Sequence, residues 1–307
     1  MSKQDTLFEL KPRSTKYECL VFHDESKKVF GNIWAHGVLF VPLSSYNKLV
    51  SKLWEIRKKY DCNRKLSFKD ISGSKISKRD CSIVVKEWIE WGVEALKSKR
   101  SYFALACKLG VIFFPSNTNL DLYGGKSRNE KLLRYFEVLL RMLLKGCMHK
   151  LYNSENRIII KGIITDGKPW HRSLDKTRII EKMQKEGHLR DYVEIANDAY
   201  IEELLSNHNS KECKDKDKAQ LLQLTDLLLG SVIHCCFRDV EYSSKKEVLI
   251  RPVREMLKKP EERKGGFRYS SHFMSFSLAY ATPINGWEFK AVNIKDLIYK
   301  DNQLKLF

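Results

Sequence analysis

Three aspartates occupy places in the sequence where a carboxylate is unusual. Asp24 follows the apolar run CLVF, Asp166 follows the β-branched run RIIIKGIIT, and Asp226 lies inside the apolar segment LLQLTDLLLG. An isolated carboxylate in such surroundings costs several kcal/mol of free energy unless it is paired or bound to a metal ion. Clustered carboxylates repel one another unless a cation neutralises them, and their oxygen atoms suit Mg²⁺ or Mn²⁺. Two such ions roughly 4 Å apart could clamp the attacking and leaving oxygens of a phosphodiester.

Each aspartate also has a structural interpretation. Asp226 could be a helix N-cap or one partner of a buried Asp–Arg pair, although the apolar pattern on both sides argues against an N-cap. Asp24 and Asp166 could be ordinary turn residues, the second especially because Gly167 follows it. The helical neighbours of Asp226 include Gly230, which would let another backbone or a ligand come close.

Polar residues near two of the aspartates could handle protons or phosphate groups. His23 immediately precedes the first aspartate, and His171 follows the second in the segment DGKPWHR. Each histidine is a candidate proton carrier or phosphate contact, with a structural or surface role as the alternative. Lys168 and Arg172 in the same segment could hold a phosphate backbone by charge.

The chain is strongly basic. Its 307 residues include 56 lysines and arginines against 38 aspartates and glutamates, which gives a net charge of +18. A charge of this size favours a polyanionic partner, most often nucleic acid, over a surface that only keeps the protein soluble. The positive residues are spread along the chain, which suits a folded basic surface better than a disordered arm. We see no membrane span and no signal peptide. We therefore expect a cytoplasmic protein whose cysteines are thiols.

The periodicity of apolar residues predicts a mixed sheet covered by helices. Strands are predicted at 17–22, 32–41, 101–114, 157–165 and 191–196, and helices at 43–60, 82–97, 129–151, 174–185 and 219–237. The helix at 219–237 is apolar almost all round, so we expect it to be buried. Beyond residue 239 we predict a basic helix at 246–258 and strands at 273–280 and 287–292.

Three segments together resemble a known family. HDES on the first strand, a strand that ends in Asp-Gly and QLLQLTDLLLG on a late helix resemble the domain of unknown function 3800 family, which is similar to RNase H-like nucleases of the retroviral integrase and RuvC type. The resemblance covers about residues 17–237. It implies an RNase H-like α/β fold whose mixed five-stranded sheet, in the order 3-2-1-4-5, is flanked by helices.

The resemblance also implies a metal site. In that strand order the first and fourth strands are neighbours, which would place Asp24 beside Asp166, and the late helix would bring Asp226 over the same point. These three aspartates would then be the catalytic ligands of Mg²⁺ or Mn²⁺, with two ions expected. Glu25 belongs to the same motif, but on a regular strand it would face away from Asp24.

One segment departs from the family pattern. Many members carry an acidic residue at the first position and a basic residue at the third position of a short segment after the first inserted helix. This chain has Lys65 and Ser67 at those positions, in KLSFKDI. A fourth carboxylate ligand is therefore left open, and Asp70 and Glu137 are candidates for it.

The last five residues resemble a second motif. QLKLF is similar to the bacterial sliding-clamp-binding peptide Q-L-[SD]-L-F, in which apolar side chains enter a groove and the glutamine orients the tail. Lys305 departs from the usual serine or aspartate. The alternative is a terminal strand that packs on the core. The residues of the possible partner-binding tail are Gln303, Leu304, Leu306 and Phe307.

These predictions combine into one hypothesis. An RNase H-like domain is expected at 1–238, with a helical insertion at about 43–100, followed by a basic C-terminal extension at 239–307. The predicted activity is hydrolysis of phosphodiester bonds of DNA or RNA by a two-metal mechanism, in phage defence, mobile-element or DNA-repair contexts. The alternatives are a nucleic-acid-binding protein that has lost turnover and an interaction module of a defence system.

Overall fold

The structure is a computed structural model that describes residues 16–30, 33–97, 106–115, 120–152, 157–167, 175–185, 193–236, 244–258, 276–283 and 287–291. The strands are β1 (Tyr17–Phe30), β2 (Ile33–Pro42), β3 (Lys108–Pro115), β4 (Ile158–Asp166), β5 (Val193–Leu204), β6 (Phe276–Pro283) and β7 (Trp287–Ala291). The helices are α1 (Leu43–Lys59), α2 (Ser82–Leu96), α3 (Arg128–Leu151), α4 (Lys176–Lys185), α5 (Lys216–Cys236) and α6 (Ser244–Lys258).

The described strands form one mixed sheet in the order β5-β4-β1-β2-β3-β6-β7. β2 is antiparallel to both β1 and β3, whereas β4 is parallel to both β1 and β5. The predicted order 3-2-1-4-5 of the first five strands is therefore confirmed. The strands predicted in the C-terminal region extend this sheet, because β6 pairs with β3 and β7 pairs with β6.

Helices cover both faces of the sheet. α1, α2, α5 and α6 share one apolar core with Leu20 and Phe22 of β1, while α3 and α4 share the other core with Cys19 and Val21. Alternate residues of β1 thus enter opposite cores, as a strand that is covered on both sides requires. This alternation decides on which face each polar residue of β1 lies.

α5 is the central helix of the first core. Almost every residue from Ala219 onward is buried, which confirms the sequence prediction. By length and composition α5 is also the one helix among the described residues that could span a membrane, but 89% of its apolar window is buried inside the protein. This is the burial expected of a core helix in a soluble protein.

Residues beyond 238 contribute to the same core. Leu249, Val253 and Leu257 of α6 are buried among residues of α2 and α5. The predicted helical insertion consists of α1, the segment 60–81 and α2. It covers the sheet on the side of α5.

One cysteine pair corrects the expectation that the cysteines are thiols. Cys62 and Cys81 form a disulfide, with their Cα atoms 5.9 Å apart, which closes the segment between α1 and α2. The other six cysteines are thiols. Sequence spacing alone does not bring two cysteines within bonding distance. Here the packing of α1 against α2 does so.

Candidate active site

Asp24 lies within β1, not at its end as the sequence predicted. β1 continues to Phe30 because the polar residues after the apolar run still pair with β2, where Asp24 lies opposite Gly37. The side chain of Asp24 is 7% exposed and lies on the face that carries Phe22 and α5. An added Cβ at Gly37 would lie 3.1 Å from Cδ1 of Leu229, so α5 crosses the sheet closely beside Asp24.

Asp226 is half-buried on α5 and its carboxyl group meets two other parts of the chain. Its Oδ2 accepts a hydrogen bond from the Phe68 N–H at 2.7 Å, and the Ser67 hydroxyl and the Asp24 carboxyl also hydrogen-bond to it. Burial raises the pKa of Asp226, whereas these hydrogen bonds and the positive charge of Lys65 act in the opposite direction. Asp24 and Asp226 are termed the carboxyl pair below.

The contact within the carboxyl pair has an electrostatic consequence. Two ionised carboxylates in contact repel each other, so without a cation they share a proton. The partners of Asp226 among the described residues are a backbone N–H, a hydroxyl and a carboxyl, and it lies in the middle of its helix. The structure therefore supports neither the buried Asp–Arg pair nor the N-cap in the part of the chain that it describes.

The space beside Gly230, predicted to admit another backbone or a ligand, is filled by the side chain of Phe68. A Cβ added to Gly230 would overlap with the Phe68 ring. Phe68 begins a short 3₁₀ turn, Phe68–Asp70, in the segment that departs from the family pattern. The absence of a side chain at Gly230 thus lets this segment pack on α5, with the Phe68 N–H directed at Asp226.

Asp166 is the last residue of β4, as predicted. β4 runs parallel to β1 with Thr165 opposite His23, so Asp166 lies beside Asp24 on the neighbouring strand and on the same face. Its Oδ1 accepts a hydrogen bond from the Ser206 N–H at 3.1 Å. Within the described ranges, no three His, Cys, Asp or Glu side chains form a group that could hold a metal ion. The structure thus joins Asp24 to Asp226, while Asp166 lies on the strand beside Asp24 and is hydrogen-bonded to the segment that follows β5.

His23 and Glu25 lie on the opposite face of the sheet from Asp24. The ring of His23 is 2% exposed, and its two nitrogens lie 3.0 Å from Thr165 Oγ1 and 3.0 Å from His36 Nδ1. His23 therefore links β1 to β4 and β2. Glu25 is buried on the side of α3, which is the direction expected from strand alternation.

The two candidates for a fourth carboxylate lie in different places. Glu137 is buried on α3, where its Oε1 accepts a hydrogen bond from the Asp175 N–H at 3.2 Å and its carboxylate pairs with Arg178. It is thus separated from the carboxyl pair by the sheet. Asp70 is exposed at the end of the 3₁₀ turn that begins at Phe68, on the same side as the pair.

Gln223 is a site residue that the sequence analysis missed. Its Oε1 accepts hydrogen bonds from Arg57 Nη2 at 2.7 Å and from the Leu66 N–H at 2.8 Å. Its Nε2 donates to the Ser206 carbonyl at 2.6 Å and lies 3.2 Å from Nδ1 of His208. One buried amide thus connects the segment that contacts Asp226 with the segment that contacts Asp166. The signal in the sequence was a glutamine in an apolar helix, one turn before the aspartate.

Arg57 of α1 supports this connection. It is 2% exposed, and burial lowers its pKa to about 9. Its Nε donates to Gln220 Oε1 at 2.6 Å, and its Nη1 donates to the Cys62 and Arg64 carbonyls at 2.9 Å each. Its guanidinium lies 4.6 Å from the ring centre of Trp88. Nothing in the sequence distinguished this arginine from the other basic residues of α1.

Several predicted site residues lie outside the described part of the chain. These are Lys168, His171 and Arg172 after β4, and the tail residues Gln303, Leu304, Leu306 and Phe307. The roles predicted for them stay predictions.

No protein-family model matches this chain, and no curated protein is similar to it. The arrangement of side chains therefore carries the functional argument.

The donor set at the carboxyl pair fits a hard divalent cation. Two carboxyl groups lie in contact, and a third carboxylate, Asp166, lies on the neighbouring strand. Mg²⁺ is held in many proteins by one or two carboxylates, with water and substrate phosphates as the remaining ligands, and Mn²⁺ prefers the same oxygen ligands. A bound cation would replace the shared proton and favour the ionised form of both aspartates.

Proposed function

We propose that the chain is a metal-dependent nuclease that hydrolyses phosphodiester bonds of DNA or RNA. The observation that carries this proposal is the contact between the carboxyl groups of Asp24 and Asp226, which are brought together by β1 and α5. Such a contact costs stability unless the two groups share a proton or bind a cation, and carboxyl groups with perturbed pKa values concentrate at functional sites.

The topology supports an RNase H-like nuclease in particular. The five strands have the order 3-2-1-4-5, with one aspartate on the first strand, one at the end of the fourth and one on a late helix that crosses the sheet. This is the arrangement that the resemblance to the domain of unknown function 3800 family implies. We therefore propose that Asp24, Asp166 and Asp226 are the catalytic residues.

In the proposed mechanism the side chains hold the metal ions and fix the orientation of the carboxyl groups that bind them. Asp24 and Asp226 would hold Mg²⁺ or Mn²⁺, and Asp166 would complete the site for a second ion. Such ions, when bound, neutralise the phosphodiester and lower the pKa of water. The Phe68 N–H and the Ser67 hydroxyl fix the carboxyl of Asp226. Lys65 adds positive charge near Asp226.

The partner and the location follow from the same proposal. A net charge of +18 favours binding to a polyanion along the surface. We propose that the reaction takes place in the cytoplasm, although a disulfide such as Cys62–Cys81 is unusual there. We also propose that the tail at 303–307 binds a sliding clamp. Deletion of residues 303–307 should abolish capture of the chain by purified clamp and leave nuclease activity intact.

A second candidate function is binding of nucleic acid without cleavage. It is favoured by the hydrogen bond that holds Asp166 to the Ser206 N–H, which directs one oxygen of the third carboxylate away from a metal role. A binding protein would use the same basic surface. The two candidates differ in one result, which is turnover in the presence of Mn²⁺.

The test is cleavage of labelled DNA and RNA, single- and double-stranded, by the purified chain with Mn²⁺ or Mg²⁺. We expect cleavage that falls at least 100-fold in Asp24→Asn and in Asp226→Asn, because each change removes an ionised ligand. Asp198→Asn is the matched control, since Asp198 is an exposed aspartate that pairs with Lys161 on the surface. It should cleave like the wild type.

Two results contradict the nuclease proposal. One is tight binding of nucleic acid with no product at any metal concentration, which supports the binding protein. The other is cleavage that persists in both carboxyl-pair variants.

A further inference from the structure

A cavity is lined by Ser67, a residue that also contacts the carboxyl pair. Its volume is about 210 Å³, and it opens between residues 64–72, the first turn of α2 and the start of α6. Ser67 is one of its lining residues and also donates its hydroxyl to Asp226. Ser67 therefore connects the cavity with the carboxyl pair.

Three basic side chains line this cavity, and the charge of one of them is neutralised by an aspartate. Lys245 is buried and pairs with Asp80. Asp80 also accepts hydrogen bonds from the Ser82 N–H at 3.0 Å and from the Ser77 hydroxyl at 2.9 Å, and these partners hold its pKa well below the ordinary value. Asp80 is therefore a fixed anion that Lys245 neutralises.

The other two cations are Arg64 and Lys65, both exposed at the opening of the cavity. The remaining acidic residue that lines the cavity is Asp70. Arg64, Lys65 and Asp70 together therefore carry one net positive charge. Ser72 lines the same space. Arginine, lysine and hydroxyl donors are the groups that proteins use to bind phosphate.

The backbone that carries these cations is anchored on both sides. The Arg64 carbonyl accepts from Arg57 Nη1 at 2.9 Å, and the Leu66 N–H donates to Gln223 Oε1 at 2.8 Å. The Phe68 N–H donates a hydrogen bond to Oδ2 of Asp226. Lys65 therefore sits on a segment held by three buried or half-buried side chains, which reduces the entropy lost when a ligand binds.

We propose that this cavity is a phosphate-binding subsite, which takes a phosphate of the nucleic-acid strand adjacent to the phosphate at the carboxyl pair. The proposal rests on the proposed function, because it assumes a nucleic-acid substrate. It also assigns a role to the segment that departs from the family pattern. Lys65, which stands where the pattern has an acid, binds the strand. Arg64 assists it, and Asp70 opposes them.

The test measures binding separately from cleavage. A labelled single-stranded oligonucleotide is titrated with the full chain in EDTA at several salt concentrations, for the wild type, Lys65→Gln and Arg64→Gln. We expect each variant to reduce the magnitude of the slope of log K against log salt concentration by about 0.7, the contribution of one phosphate contact on a single strand. Lys185→Gln on α4, across the sheet, is the matched control and should keep the wild-type slope. Asp70→Asn should bind more tightly than the wild type.

The outcomes separate this inference from the proposed function. Wild-type slopes in both Lys65→Gln and Arg64→Gln overturn the subsite, whatever the cleavage assay shows. Reduced slopes in these variants, with a wild type that does not cleave in Mn²⁺, support the subsite and contradict the nuclease.

A second arm distinguishes a strand from free phosphate. Inorganic phosphate alone is titrated while Tm is measured. If it raises Tm in the wild type but not in Lys65→Gln, and the oligonucleotide slopes are equal, the cavity takes free phosphate and its assignment to the strand is wrong. Both substituted residues are exposed, so the variants should fold, and an unchanged Tm without phosphate verifies this.

Discussion

The carboxyl groups of Asp24 and Asp226 hydrogen-bond to each other, although Asp24 lies on β1 and Asp226 lies on α5, about 200 residues later in the chain. β1 presents Asp24 on the face that α5 covers, and Gly37 lets α5 come close enough for the contact. Stability alone gives no reason for this arrangement, because two carboxyl groups in contact must share a proton or bind a cation.

Metal binding should stabilise the folded chain through this contact. A ligand that binds only the folded state raises the free energy of unfolding, by about 2.7 kcal/mol at a concentration one hundred times its dissociation constant. We therefore expect Mn²⁺ to raise Tm of the wild type. Asp226→Asn should show little of this rise, while Asp198→Asn should retain it. An equal rise in all three proteins would show that Mn²⁺ binds elsewhere.

Stability in EDTA should depend on pH through Asp226. Burial raises its pKa above the ordinary value of 3.8, so folding favours the protonated form. The stability linked to this group is complete below the ordinary pKa and is lost as the pH rises through the raised pKa of the folded state. In urea titrations across this range, the free energy of unfolding of the wild type should fall relative to Asp226→Asn. A constant difference between the two proteins would contradict the raised pKa.

Removal of the Gln223 amide should destabilise the chain strongly. Gln223→Leu leaves the buried guanidinium of Arg57 and the Leu66 N–H without this acceptor, and we expect a loss of about 2–5 kcal/mol in the free energy of unfolding. Gln184→Leu is the control, because Gln184 makes one half-buried hydrogen bond to the Ala196 carbonyl and its loss should cost about 1 kcal/mol. Equal losses in urea unfolding would mean that the network does not bear on stability.

Gly230→Ala tests the contact that directs Phe68 at Asp226. The added methyl group overlaps with the Phe68 ring, so we expect a loss of about 1–3 kcal/mol in stability and reduced cleavage because the Phe68 N–H is displaced. Gly92→Ala is the matched control. Its added Cβ would meet the flexible end of Leu224 at 3.0 Å, on the same core but away from Asp226. Wild-type cleavage by Gly230→Ala would show that this hydrogen bond does not matter for activity.

Reduction of the disulfide should loosen the segment that carries Lys65 and Phe68. Cys62 and Cys81 are separated by 19 positions, and closing a loop of this size stabilises a protein by about 3 kcal/mol in the chain-entropy model. Cys62→Ser, or the wild type treated with a dithiol, should lose about this amount in urea unfolding. Cys213→Ser is the control, since Cys213 is a half-buried thiol. No difference between oxidised and reduced protein would contradict the role of the bridge.

The sequence predicted the elements well where periodicity is strong. α5 was recognisable because its residues are apolar on all sides, and β4 because of its β-branched run. The predicted extent of β1 was wrong, because HDESKK has no apolar alternation and its strand conformation depends on pairing with β2. Arg57, Gln223 and the disulfide could not be predicted, because their partners come from segments that are distant in the chain.

By itself, the amino-acid sequence determined where most helices and strands lie, though not the full extent of β1 and β5, and that three aspartates lie in unfavourable places. Both follow from interactions between residues that are near in the chain and from the free energy of burying charge. Only the tertiary structure decided which carboxyl groups touch. Strand alternation puts Asp24 and Glu25 on opposite faces, the crossing of α5 brings in Asp226, and the segment after β5 holds Asp166. Such contacts depend on how distant elements pack, and local sequence patterns do not encode that.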